Sequence, residues 1–220
     1  MLKDTIYTIP ISDVFEPRCG CPICLMRDML EKRNVEYVMG AAMMEPDIRV
    51  ETNKYGFCTD HFAMLAVQKN RLSLALMLET HLDELNKKHF PLNVKKGEAT
   101  PANTCYICNE ISASMDKMLE TTLTLYFADS SFKKIVNEQE FFCYQHYELL
   151  VKKASVKLNK KQSAIFINDI TEITRKYLLS LREDVHGFSK MFDYRNANIA
   201  EKNDNVKFSL ERAISFLTGR

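Results

Sequence analysis

Eight side chains carry the most legible chemistry in the chain: Cys21 and Cys24, Cys58 and His61, Cys105 and Cys108, Cys143 and His146. Cys21-Pro-Ile-Cys24 returns as Cys105-Tyr-Ile-Cys108 with both cysteines displaced by 84 residues, and Cys58-Thr-Asp-His61 returns as Cys143-Tyr-Gln-His146 with both ligands displaced by 85. One ancestral unit was duplicated. Three thiolates with one imidazole make the Cys3His set of structural zinc, a d10 ion that accepts sulfur and nitrogen donors in a tetrahedron. The expected cofactor is therefore zinc, two ions. An iron–sulfur cluster is the alternative, since such ligand sets also hold clusters, and disulfides or free thiols are the third reading. Of seven cysteines only Cys19 has no counterpart in the duplication. Because each repeat owns a complete quartet, the expected pairing is sequential: Cys21, Cys24, Cys58 and His61 at one ion, Cys105, Cys108, Cys143 and His146 at the other. Exchange of partners between the repeats is the competing arrangement.

Helices must position these ligands. Residues three apart lie on one side of a helix, so Cys58 with His61 and Cys143 with His146 can each reach one ion. Cys-x-x-Cys suits a turn leading into a helix, whose positive end offsets thiolate charge. Apolar spacing predicts a helix from Pro22 to about Met44, a short return over Asp47–Asn53, and one long helix from Cys58 to the neighbourhood of His89. The second repeat follows the same plan: a helix from Cys105 to Phe127, a return over Asp129–Gln139 and a helix from Cys143. Phe166, Ile170, Ile173, Tyr177, Leu181, Val185, Phe188 and Phe192 describe a long helix, and Val206, Leu210, Ile214 and Leu217 a last one packed antiparallel to it. The expected fold class is all-α: two tandem zinc-clipped helical repeats followed by a carboxyl-terminal antiparallel helix pair. The segments are 1–20, an irregular leader; 21–92, the first repeat; 93–104, a linker; 105–160, the second repeat; and 161–220, the carboxyl-terminal helices, packed with the repeats as one globular unit.

Composition narrows the function classes. With 30 basic and 29 acidic residues the chain has a formal charge of +1, which builds in no attraction to nucleic acid or anionic lipid. No apolar run approaches the ~20 residues that cross a bilayer, and no signal-type segment opens the chain. Cysteines at ligand spacing without an export signal fit a reducing cytoplasm.

With the ligands and the tail both in view, the chain resembles a bacterial family of unknown function. The marks are Cys21-Pro-Ile-Cys24, the Gly56-Phe57-Cys58-x-x-His61 turn, the second Cys-x-x-Cys and Cys-x-x-His, Phe192-Asp-Tyr-Arg-Asn196, Glu211-Arg-Ala213 and Gly219. The second turn departs from the first, with Glu140-Phe141-Phe142 where the first has Tyr55-Gly56-Phe57. The resemblance implies no activity.

Asp193, Tyr194, Arg195 and Asn196 with Arg212 offer a possible ligand pocket, in which arginine clamps a carboxylate or phosphate and tyrosine donates a hydrogen bond. The plainer reading is a hydrogen-bonded corner between two helices. His81 and His186 read as core or boundary residues. Glu36 and Glu120 match across the duplication, and a carboxylate there bonds a neighbouring arginine or the free nitrogen of a ligand histidine more readily than it forms an acid–base pair. Full quartets leave no position for water, which argues against zinc hydrolysis. The expected function is a zinc-binding helical scaffold that binds a protein or a small anionic ligand. The rivals are an enzyme or anion-binding protein using the Asp193–Asn196 and Arg212 cluster, and a thiol redox sensor.

Overall fold

The computed structural model describes residues 9–89, 104–192 and 204–219. Every regular element among them is a helix, as the apolar spacing requires. Contrary to the irregular arm expected, residues 9–15 of the leader form a helix, α1 (Ile9–Phe15), that buries Ile11, Val14 and Phe15. Pro10 sits in its first turn, where a missing N–H is harmless. Prolines also open α2 (Pro22–Met39) and α3 (Pro46–Tyr55), with a 3₁₀ turn over Ala41–Met44 between them.

The single helix expected from Cys58 to His89 is two, α4 (Thr59–Ala66) and α5 (Arg71–His89). Asn70 makes the break. Its Oδ1 accepts from the Ser73 N–H at 3.2 Å and its Nδ2 donates to the Met39 carbonyl at 3.0 Å, so its side chain starts a new helix rather than continuing the old one. The second repeat gives α6 (Tyr106–Ala128), α7 (Ser130–Asn137) and α8 (Tyr144–Lys157). Asp129 caps α7, accepting from the Ser131 and Phe132 N–H groups at 2.8 and 3.3 Å. Then follow α9 (Lys160–Lys190), α10 (Asp204–Lys207) and α11 (Ser209–Thr218).

The chain divides into two compact units: residues 1–26 with 117–220, and residues 27–116. The division falls inside α2 and α6, so it does not follow the repeat boundaries. In the first unit α8 and α11 pack on α9 and α1 packs on α7, around Phe15, Leu123, Tyr126, Phe142, Phe166 and Ile170. In the second, α3 packs on α5 around Val38, Ala42, Leu65, Met77 and Ile107.

The expected pair α9 and α11 is antiparallel: Arg212 meets Asp184, and further along α11 Phe216 meets Tyr177. Of the expected stripe Val206 is buried, in the separate helix α10, but the face that α11 uses differs from the expectation. Ser209 and Phe216 are buried, whereas Leu210, Ile214 and Leu217 are exposed. Arg212 decides the rotation. Its Nη1 donates to Asp184 Oδ2 at 2.8 Å and its guanidinium lies 5.5 Å from the Tyr177 ring centre, which turns the Ser209–Arg212–Phe216 side toward α9.

Candidate metal centres

All eight expected ligands gather into two clusters of four, and the partners are exchanged. Cys21 and Cys24 join Cys143 and His146, while Cys58 and His61 join Cys105 and Cys108. The sequential pairing is thus corrected. Each cluster lies within one unit, and within each the four donor atoms are all less than 4.8 Å apart.

Every ligand pair sits at a helix start. Cys58 and Cys143 are the extended capping residues of α4 and α8, with φ of −74° and −61°. Cys21 and Cys105 immediately precede α2 and α6. The second ligand of each pair lies three residues on, in the first turn. A capping residue and the third helical residue converge there, as in a capping box. Each cluster therefore brings two helix amino termini together, α2 with α8 and α4 with α6, and their positive ends face the sulfurs.

The edges have the size of a tetrahedron around one ion. In the first cluster Cys24 Sγ lies 3.7 Å from Cys143 Sγ, and His146 Nδ1 lies 3.1, 3.3 and 3.7 Å from the sulfurs of Cys143, Cys24 and Cys21. In the second, Cys58 Sγ lies 3.9 Å from Cys108 Sγ, and His61 Nδ1 lies 3.1, 3.3 and 3.5 Å from the sulfurs of Cys58, Cys105 and Cys108. With Zn–S of about 2.3 Å and Zn–N of about 2.0 Å, a tetrahedron has edges of about 3.8 Å between sulfurs and about 3.5 Å between sulfur and nitrogen. A disulfide would need sulfurs at about 2.0 Å. The donor set and spacing fit one zinc-sized ion per cluster.

The surrounding hydrogen bonds repeat the duplication. In the second unit Thr104 Oγ1 donates to the Tyr55 carbonyl at 3.0 Å, and the Tyr106 N–H to the Gly56 carbonyl at 2.9 Å. In the first unit the positions equivalent to Thr104 and Tyr55 are Gly20 and Glu140, and the Gly20 N–H donates to Glu140 Oε2 at 2.9 Å. The departure at Glu140 thus supplies from a carboxylate the acceptor that Tyr55 supplies from its backbone. Arg18 pairs with Glu138 at 2.9 Å, and Gln139 Nε2 donates to the Phe15 carbonyl at 2.7 Å. These bonds hold the segment before Cys21 against the segment before Cys143.

Two contributors escaped the sequence reading. His61 Nε2, buried, faces Glu31 Oε1 at 3.2 Å, off the line of a hydrogen bond. The carboxylate thus lies behind the ring, on the side away from Nδ1, which points into the cluster. Gly219 ends α11 in the left-handed conformation with φ 70°, and its carbonyl lies 3.4 Å from Cys24 Sγ. A Cβ there would stand 3.3 Å from Cys143 Sγ.

Without an ion the sulfurs of each cluster perturb one another. Hydrogen bonds with Cys143 and Cys21, then burial, hold the Cys24 thiol far above its usual range, while hydrogen bonds from Cys21 and Cys24 hold Cys143 far below it. Burial acts to lower His146, but its contacts with the Cys143 and Cys21 sulfurs prevail and raise it to about 9. Burial, then Cys105, pushes Cys108 up to about 12.

The other singled-out residues have quieter roles. Glu36 lies 4.0 Å from Lys32, and Glu120 pairs with Lys153 at 3.3 Å and Lys157 at 2.8 Å. His81 Nδ1 donates to the Asn53 carbonyl at 2.9 Å. His186 is exposed on α9, and Cys19 is exposed beside the first cluster's segment. Of the expected pocket, Asp193, Tyr194, Arg195 and Asn196 lie outside the described residues, and Arg212 is engaged by Asp184 and Tyr177.

A family model described as a family of unknown function (DUF6062) matches residues 2–220, so the chain belongs to that family. No curated protein and no solved structure matches it.

Proposed function

We propose that this member of the DUF6062 family is a helical scaffold held by two structural zinc ions, ligated by Cys21, Cys24, Cys143 and His146 and by Cys58, His61, Cys105 and Cys108. The observation that carries the reading is the pair of closed Cys3His clusters with tetrahedral edges. A cluster of several irons would stand between the sulfurs and spread them beyond the 4.8 Å seen. When bound, zinc supplies a cross-link between helix starts and no open position for water. Six of the seven cysteines gather with histidines at ligand spacing rather than in disulfides, which supports a reducing compartment, the cytoplasm.

The scaffold's task, in this reading, is to present a surface to another protein. Leu210, Ile214 and Leu217 recur at helical spacing on the outer side of α11 and are exposed, as is Phe208, and an exposed apolar stripe of this kind suits a partner helix or groove. Among the described residues no helix is long and apolar enough to cross a membrane. The anion-binding alternative draws no support from Arg212, whose guanidinium is already paired.

Elemental analysis of protein purified without added metal tests the first part. Two equivalents of zinc are expected, and iron with a visible charge-transfer spectrum would overturn the assignment. For the surface, I214K with L217K should leave zinc content and thermal midpoint unchanged while abolishing a specific complex formed by the wild type. A complex that survives both substitutions would refute the α11 assignment.

A further inference from the structure

We propose that the second unit's centre is the oxidation site of the protein: a peroxide joins Cys58 and Cys108 in a disulfide and expels the ion held there, while the first unit's centre keeps its ion. The inference rests on the zinc reading above and assigns to one of its two sites a regulation that the other lacks.

The two centres have the same donors but unequal cover. In the first, Cys21 and Cys143 are 5% and 1% exposed, and Cys24, half-buried, lies 3.4 Å from the Gly219 carbonyl at the turn, where a Cβ would also stand 3.3 Å from Cys143 Sγ. In the second, Cys108 is exposed and Cys58 half-exposed, so the edge between their sulfurs, 3.9 Å long, is the one that faces solvent. Cys105 is buried, and its sulfur accepts the Cys108 N–H at 3.5 Å. His61 is buried, with the Glu31 carboxylate 3.2 Å behind its ring. The accessible half of this tetrahedron is therefore Cys58 and Cys108, which come from different helix starts, and closing 3.9 Å to a disulfide's ~2.0 Å needs the sulfurs to approach by about 2 Å.

The step balances as follows. The Cys108 thiolate attacks one oxygen of hydrogen peroxide, breaking the O–O bond, forming a sulfenic acid and releasing hydroxide. The Cys58 thiolate then attacks the Cys108 sulfur, forming the S–S bond and releasing a second hydroxide. Two protons from solvent turn the hydroxides into water. The two sulfurs lose two electrons in all and the peroxide gains them. Two of four ligands have then lost their charge, and zinc leaves a site held only by Cys105 and His61.

The test uses the full chain loaded with two zinc ions, treated with hydrogen peroxide beside a chromogenic zinc chelator, with disulfides mapped by mass spectrometry. One equivalent should be released on the order of tenfold faster than the other, in step with a Cys58–Cys108 disulfide, and a reductant with added zinc should reverse it. The C21S/C24S protein, holding only the second centre, should reproduce the fast phase, and C58S/C105S, holding only the first, the slow one. Release of both ions at one rate, or a first disulfide within Cys21, Cys24 and Cys143, would overturn the inference. Protein that never holds two ions would instead refute the zinc reading.

Discussion

Gly56 stands at φ 60° and ψ −154°, a region that residues with a Cβ scarcely enter. An added Cβ would also meet the His81 ring at 2.9 Å. Since its carbonyl accepts from Tyr106, Gly56 couples the approach to Cys58 with the start of α6. G56A should destabilise the protein by about 1–3 kcal/mol in denaturant unfolding, and the added H81A should recover the steric part but not the backbone part. Full recovery in the double variant would show that strain in φ contributes nothing. Glu31 gives a second expectation at this scale: E31A should weaken zinc at the second centre by about 10–100-fold, read by chelator competition, with the first centre unchanged. Equal weakening at both would contradict the assignment. The eight clustered cysteines and histidines were legible in the sequence because type and spacing repeat. Glu31 was not, because its counterpart in the duplication is Met115, and a search for matched carboxylates passes over it to Glu36 and Glu120, which bind lysines instead.

The exchange of partners follows from helix lengths. α2, with 18 residues, carries the chain about 27 Å from Cys21, and α3, with 10 residues, returns only about 15 Å. The second repeat is more lopsided, with 23 residues in α6 against 8 in α7. A return folded as helix falls short of its own starting ligands, and the ligands of the other repeat complete each cluster. The helix content and the return helices could be read from prolines and apolar spacing. The pairing could not, because both arrangements place the same residue types at the same local spacing. Nor could the rotation of α11, where one arginine facing Asp184 and Tyr177 overrides a regular apolar stripe. Metal stoichiometry separates the two pairings. C24S/C143S removes ligands from one cluster and should retain one equivalent of zinc. C24S/C58S removes one from each and should lose both, since two remaining thiolates and a histidine bind far more weakly than a full quartet. Sequential pairing requires the reverse outcome.

For the molecule as a whole, metal and protons compete for the same atoms. In the metal-free protein at pH 7 the Cys24 and Cys108 thiols, the latter at about 12, and the His146 imidazole, at about 9, all hold protons that an ion must displace. The sign for His146 follows from its direction: raised from 6.5, it stabilises the metal-free fold fully below 6.5 and loses that contribution as pH climbs through about 9. Cys143, lowered, gains stability across the same interval, because the unfolded thiol keeps its proton until about 9 while the folded one has lost it. The two slopes cancel, so this pair leaves metal-free stability flat between 6.5 and 9. Zinc affinity does not cancel. Binding must remove the His146 proton below about 9, so affinity at the first centre should fall roughly tenfold per pH unit for each proton displaced as pH drops. Proton release, measured by calorimetry in buffers of different ionisation enthalpy, should reach about three from these three groups at pH 7. By nuclear magnetic resonance the His146 ring should titrate near 9 without metal and not at all with zinc bound. A His146 ring that titrates at 6.5 in the metal-free chain would mean that the sulfurs gather around it only when the ion is already there.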